Sequence, residues 1–269
     1  MSYRGFNMVE IVQQLKGLVG VTTEDRFNHI YSEVRRMGVQ PSSYELQSPR
    51  GIDRHLVVHM DHDRQDNDLW LTANYDTYKN LPAANNNASG VVALLGVVEQ
   101  VQKIRLPINL RIAFLDAGLD SDLISNKRRN PDFIPGSVLF VQRVVEEDMK
   151  LIDNFEGVIV VQAVGKGNMC VFERTGKRTN NDIGLNHRLV NHGKALGVPI
   201  VIRSHSPNAD NTSFINEGFP ATVISRYHDG AWHRMQTRED DISNVDSRLV
   251  NETTVFLSKF VASFRGKVI

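Results

Sequence analysis

Apolar positions switch repeatedly between two spacings along the 269 residues. Residues 22–38 open on Thr22-Thr-Glu-Asp25, a capping-box-like start. Phe27, Ile30, Tyr31, Val34 and Met37 then recur three or four residues apart until Gly38, a helix stop. Residues 55–59 and 69–72 are short apolar runs on either side of polar residues and predict two strands around a hairpin. Residues 89–101 are apolar and predict a helix, and residues 108–115 and 158–161 predict strands. Residues 182–196 predict a helix that stops at Gly197. Residues 199–202 and 221–225 predict further short strands, and residues 245–264 a closing helix. Strands alternating with helices indicate an α/β protein with a largely parallel sheet.

In such sheets ligands sit in a crevice beyond the carboxyl ends of the strands. Several anomalous residues fall at such ends: Asn74 after 69–72, Gly118 after 108–115, and Gln162 after 158–161. Composition changes this picture little. Hydrophobic residues make up 41% and charged residues 23%, as in an ordinary globular protein. No linker or repeat interrupts the pattern, so 1–269 is expected to form a single domain. Lys plus Arg and Asp plus Glu both number 31, and this balance gives no footprint for nucleic acid or an anionic membrane. The single cysteine, Cys170, excludes an internal disulfide framework and suits a reducing compartment. With no apolar signal region and no run long enough to span a membrane, a cytoplasmic protein is expected.

The candidate chemistry sits in Asn74-Tyr75-Asp76, followed by Asn85-Asn86-Asn87-Ala88-Ser89-Gly90 running into the apolar helix. This pair of motifs resembles the di-zinc aminopeptidase family that also includes the glutaminyl cyclases, where the pattern reads His-Tyr-Asp, then Gly-Ala-Asp-Asp-Asn-Ala-Ser-Gly. The resemblance runs from about residue 69 to residue 246. It implies a three-layer sandwich with a central, mostly parallel mixed sheet and helices on both faces.

It also implies a site whose metal ligands are largely substituted. Asn74 stands where the family has a ligand His, and Asn86 where it has the bridging Asp. In Phe114-Leu-Asp-Ala-Gly-Leu-Asp120, Gly118 falls at the general-base position and Leu119 at a ligand position, and neither accepts a proton or binds a metal. Asp116 and Asp120 flank that pair; they are either recruited or solvated turn residues. Gln162 takes a ligand Asp position, while His233, in Trp232-His233 ahead of Thr237-Arg-Glu-Asp-Asp241, is retained. Asp210 is retained in Ala209-Asp-Asn-Thr-Ser-Phe214, with Asn211 in place of a family His. Asp76 matches the carboxylate that orients the first His ligand. Gly136-Ser137 matches a family Gly-Ser and leaves 120–135 as a charged insertion, either a lid or a solvated loop.

The replacements share a direction. Neutral amides keep shape and polarity while removing the repulsion and desolvation cost that several carboxylates would suffer without a metal. Amide oxygens are poor zinc ligands, and one His is not enough for a tight site. No cofactor is therefore expected. A polar cleft lined by Asn74, Asp76, Asn86, Gln162, Asp210 and His233 is expected instead, with a small amine or peptide N-terminus as ligand.

Other groupings carry less. His55, His59 and His62 with Asp61 and Asp63 straddle a strand end and a hairpin, where polar residues are common. His228 and His233 lie five apart in a glycine-containing loop, which fixes no geometry. Gly165-Lys-Gly167 is too short for a phosphate loop, and Cys170 has no base partner in the sequence. Three functions stay open. One is a metal-free pseudopeptidase-type protein that binds without hydrolysis. The second is a repurposed, metal-independent transferase, cyclase or lyase using His233, Asp210 or Asp76. The third is a zinc aminopeptidase, which the substituted ligands disfavour.

Overall fold

The computed structural model describes residues 7–48, 51–60, 67–77, 81–116, 136–145, 155–172, 183–203, 209–229, 232–235 and 237–264. Gly118, Leu119, the 120–135 insertion, Asp61, His62 and Asp63 lie outside them.

Two capped helices lead the described chain. α1 (Met8–Leu18) starts on Asn7, whose side chain accepts from Glu10 N while Glu10 reaches back to Asn7 N. α2 (Thr23–Arg36) starts on the capping box formed by Thr22 and Asp25, as the sequence predicts. Three strands follow: β1 (Ser42–Ser48), β2 (Gly51–Met60) and β3 (Asp68–Asn74). α3 (Ser89–Val101) and β4 (Asn109–Leu115) come next, then a short helix α4 (Gly136–Phe140). β5 (Phe155–Val161) and β6 (Asn168–Phe172) precede α5 (Ile183–Leu196) and β7 (Val201–Arg203). A one-turn helix α6 (Asn211–Asn216), β8 (Ala221–Tyr227) and α7 (Ser247–Ala262) complete the order.

The strands form one eight-stranded sheet in the order β1-β2-β4-β3-β5-β8-β6-β7. Its centre, β4-β3-β5-β8, is parallel. The pairs β1–β2, β2–β4 and β6–β8 are antiparallel. β2 and β3 are therefore not a hairpin, contrary to the reading of 55–59 and 69–72. β4 lies between them, and β3 spends its hydrogen bonds on β4 and β5.

Period-two alternation of side chains splits the core into two faces. Leu56 and Val58 of β2, Leu69 and Leu71 of β3, Ile112 and Phe114 of β4, and Ile159 and Val161 of β5 point into one cluster. That cluster includes residues of α1, α2, α3, α5 and α7. Val57, Trp70, Ala113, Leu115, Val158 and Val160 point the other way, against Phe140 of α4 and Phe214 of α6. Helices thus cover both faces of a mixed sheet, an α/β fold in three layers. α3 is buried nearly all round because it lies between the sheet and α7, where Thr254 Oγ1 donates to Ala93 O at 3.2 Å. Among the described residues no helix is long and apolar enough to cross a membrane.

Candidate functional site

β3, β4 and β5 run parallel, so their carboxyl ends meet at one edge of the sheet. Asn74 is the last residue of β3, Asp116 follows β4 and Gln162 follows β5. Facing them is the irregular turn Ala84–Ala88, whose Asn86 and Asn87 leave helical geometry and are joined by a cis peptide.

This turn is fastened to the chain after β5 by its own amides. Asn87 Nδ2 donates to Val161 O (3.0 Å), Asn74 O (3.2 Å) and Asn74 Oδ1 (3.1 Å), and Asn87 Oδ1 accepts from Ala163 N (3.1 Å). Asn85 Oδ1 accepts from Gly165 N at 2.8 Å, and Ser89 Oγ accepts from Val164 N at 3.0 Å. Gly90 has no room for a side chain, because a Cβ there would collide with Asn87 Oδ1 and crowd Val161 O. The Asn-Ala-Ser-Gly motif is thus a device for close approach of the turn to β5. Asn74 and Gln162 extend the same network. Asn74 Nδ2 donates to Asp76 Oδ1 (3.3 Å), and Gln162 Nε2 donates to Asn86 Oδ1 (3.0 Å). Asn74, Asn86, Asn87 and Gln162 are all buried.

The other side of the turn rests on Asp240. Its carboxylate accepts from Asn85 N (2.8 Å), Asn86 N (3.0 Å) and Asn244 Nδ2 (3.0 Å). Burial raises the Asp240 carboxyl above its ordinary range, and these bonds together with the charge of Arg26 oppose the shift. Arg26 is fully buried, donating to Tyr75 O (3.1 Å) and Pro82 O (2.7 Å). Burial lowers its guanidinium to about 10, and the charges of Asp76 and Asp240 act against that. Arg26 therefore supplies positive charge beneath the site from within the chain. Asn244 Oδ1 lies 2.6 Å from His233 Nδ1, so the network ends on His233.

Asp210 immediately precedes α6. Burial pushes its carboxyl up to about 7, the charge of Asp76 adds to the push, and a hydrogen bond from Ser137 pulls the other way. Ser137 Oγ also lies 2.9 Å from Ser213 Oγ. Gly136 is what lets Ser137 in, since a Cβ there would collide with Asp116 O.

The sequence-predicted residues thus fall into connected groups. Asn74, Asn86 and Gln162 join one buried amide network, which Asp76 meets through Asn74. Asp76 also couples electrostatically to Asp210, and His233 joins through Asn244 and Asp240. His55 is a core residue whose ring lies tilted against Phe140 at 5.1 Å, and His228 meets His233 ring to ring at 5.5 Å. Sequence reasoning missed Arg26, Asn85, Asn87, Asp240 and Asn244. Asn85, Asn87 and Asp240 stood inside quoted motifs without a role. The signal for Arg26 was its place on the apolar face of α2, one turn before Ile30.

Asn74, Asn86 and Gln162 do not fit zinc. Asn74 and Gln162 spend their amide nitrogens on neighbouring oxygens, and the Asn74 and Asn86 side-chain oxygens, uncharged, each accept from another amide. Among the described residues no group of three or more His, Cys, Asp or Glu is placed to hold a metal ion.

No curated protein matches the sequence. Among solved structures, a Bacteroides thetaiotaomicron glutaminyl cyclase bound to N-acetylhistamine superposes with a TM-score of 0.78 at 17% identity, covering 98% of this chain and 100% of that one. A leucine aminopeptidase precursor from the same species gives 0.78 at 17% identity, covering 98% and 99%. A Zn-dependent exopeptidase from Parabacteroides distasonis gives 0.76 at 17%, covering 98% and 100%. At such identity these structures establish a shared fold. The profile of Peptidase family M28 matches residues 55–261, which contain the end of β2, every strand from β3 to β8, the asparagine turn, Asp210 and His233; the chain belongs to peptidase family M28.

Proposed function

We propose that this chain is a metal-free, pseudopeptidase-type member of its family, one domain over 1–269, that binds a peptide N-terminus or a small amine without hydrolysing it. The observation that carries the reading is the direct bond from Gln162 Nε2 to Asn86 Oδ1. A carboxylate pair at these two places would set acceptor against acceptor and need a cation between them. An amide pair supplies donor and acceptor and needs none. The positive charge that does lie near the site is the buried Arg26.

Asp76 and Asp210 give the site its affinity for an amine. Burial first, and then the charge of Asp76, push the Asp210 carboxyl up to about 7, and an ammonium group brought between the two carboxyls relieves their repulsion. The buried, free Cys170 suits a reducing, cytoplasmic setting.

A second reading draws on the same residue. A carboxyl titrating at about 7 is suited to acid–base work, so a metal-independent transferase, cyclase or lyase using Asp210, Asp76 or His233 is the alternative. Elemental analysis of the purified protein and turnover of amino-acid chromogenic amides separate the readings. We expect no stoichiometric zinc and no hydrolysis with or without added zinc or cobalt. One or two zinc ions held through mild chelation and released in Asn86→Ala would overturn the proposal. Conversion of an amino compound that survives removal of metal and is lost in Asp210→Asn would favour the alternative.

A further inference from the structure

The hydrogen bonds around Asn244 determine how the retained histidine is protonated. Asn244 Nδ2 lies 3.2 Å from the carbonyl oxygen of His233 and 3.0 Å from Asp240 Oδ1. A carbonyl oxygen only accepts, and the Asp240 carboxylate is itself fixed as an acceptor by the backbone N–H groups of Asn85 and Asn86. The Asn244 nitrogen must therefore face them, which turns Oδ1 towards His233 Nδ1 at 2.6 Å. Oδ1 has only lone pairs to offer, so Nδ1 carries the proton. The reverse tautomer would set two lone pairs against each other at that distance. Flipping the amide would instead set its oxygen against the Asp240 carboxylate and the His233 carbonyl. Both alternatives forfeit hydrogen bonds in a place where Asp240 and Asn244 are buried.

We propose that His233 is the hydrogen-bond acceptor of the site, presenting a bare Nε2 to an N–H group of the ligand, and that Asn244 and Asp240 are positioning residues that lock this tautomer. Nε2 takes no hydrogen bond among the described residues, and the His233 side chain is only half-buried, so the lone pair is open to a ligand. The neighbouring His228 meets His233 as a perpendicular ring and is turned to Asp229, its Nε2 3.4 Å from that carboxylate. The lock is tied to the amide network, because the backbone of Asn86 that anchors Asp240 carries the side chain bonded to Gln162. A ligand rich in N–H donors, such as an ammonium or a terminal amide, suits a lone pair held in this way. A ligand offering only acceptors does not. The lock stands without the amine reading above; the role of Nε2 towards a ligand rests on that reading.

The test uses the full chain with 15N-labelled imidazoles, observed by long-range proton–nitrogen correlation above the pH at which histidines titrate. The His233 signals are identified by their loss in His233→Gln. The expected pattern is a protonated Nδ1 and a bare Nε2, lost in Asn244→Leu. A protonated Nε2 in the unsubstituted protein overturns the lock, and this spectrum decides even if Asn244→Leu fails to fold. An unchanged pattern in a folded Asn244→Leu overturns the positioning role. Titration with alanyl-alanine amide then reads the second half. Its binding should move the Nε2 resonance and weaken about ten-fold in His233→Phe. Binding that leaves Nε2 unmoved overturns the acceptor role. Absence of any binding overturns the amine reading, while the spectrum of the free protein still decides the lock.

Discussion

The two sides of the site differ in how far their polar groups are spent. On the amide side, Asn74, Asn85, Asn87 and Gln162 are buried and hydrogen-bonded to one another or to the chain after β5. On the acid side, Asp210 and His233 keep part of their surface open, and Asp210 holds a proton nearly to neutrality. A network with its donors and acceptors matched stabilises the fold and has little left for a ligand. A carboxyl kept from ionising by burial and by a neighbouring carboxylate has energy to release when a cation arrives. On the proposed function, the amide side therefore holds the fold and the acid side meets the ligand.

Substitutions can break this contrast. Asn87→Ala should have the largest effect, about 3 kcal/mol of lost stability in urea unfolding, because it strands the Ala163 N–H and leaves Val161 O and Asn74 Oδ1 without their donor. A loss below about 1 kcal/mol would mean that the turn is held by its backbone alone. Asp210→Asn should come next, and its signature is in pH. The folded carboxyl titrates above its ordinary value, so wild-type stability is full below about pH 4 and declines as pH rises through about 7. The variant should lack that decline, about 2 kcal/mol after allowance for residual exposure. It should also lose the thermal stabilisation given by an amine. Parallel stability profiles of the two proteins between those limits would show that Asp210 is not held protonated. Gln162→Leu should have the smallest effect, about 1 kcal/mol, since Asn86 retains a little contact with water. Amine binding should survive it; its loss in a folded variant would place the amide side in the binding machinery and end the contrast.

Much of this was legible in the sequence, for identifiable reasons. Capping chemistry at Thr22 and the apolar stretch of α3 are local signals, and the structure follows them. The order of strands is not local. Residues 55–59 and 69–72 read as hairpin partners because they are neighbours in the chain, yet β4 inserts between them, a pairing that no turn residue announces. β1 escaped notice because its polar residues dilute the apolar run that marks a central strand, and β6 because its apolar run is only four residues long. At the site, the asparagines stood out because the resemblance to a family gave each position an expected role. Asp240 and Asn244 were not, because their work is to hold backbone groups and another side chain, which leaves no signature in residue type. Arg26 carried a signal that was available: a charge on the buried stripe of an amphipathic helix needs a partner inside the protein.

The Asp240 contact has a consequence for the birth of the molecule. The turn at 84–88 leaves the ribosome long before the carboxylate that receives its N–H groups, which lies 155 positions further on. During synthesis the central strands and α3 can gather around apolar contacts, while the asparagine turn waits for a partner near the far end of the chain. The site is therefore finished late, ahead only of α7, which follows Asp240 in the chain. A chain cut short before Asp240 would hold most of the sheet and none of the anchor, and quality control would meet the turn in its unfastened form.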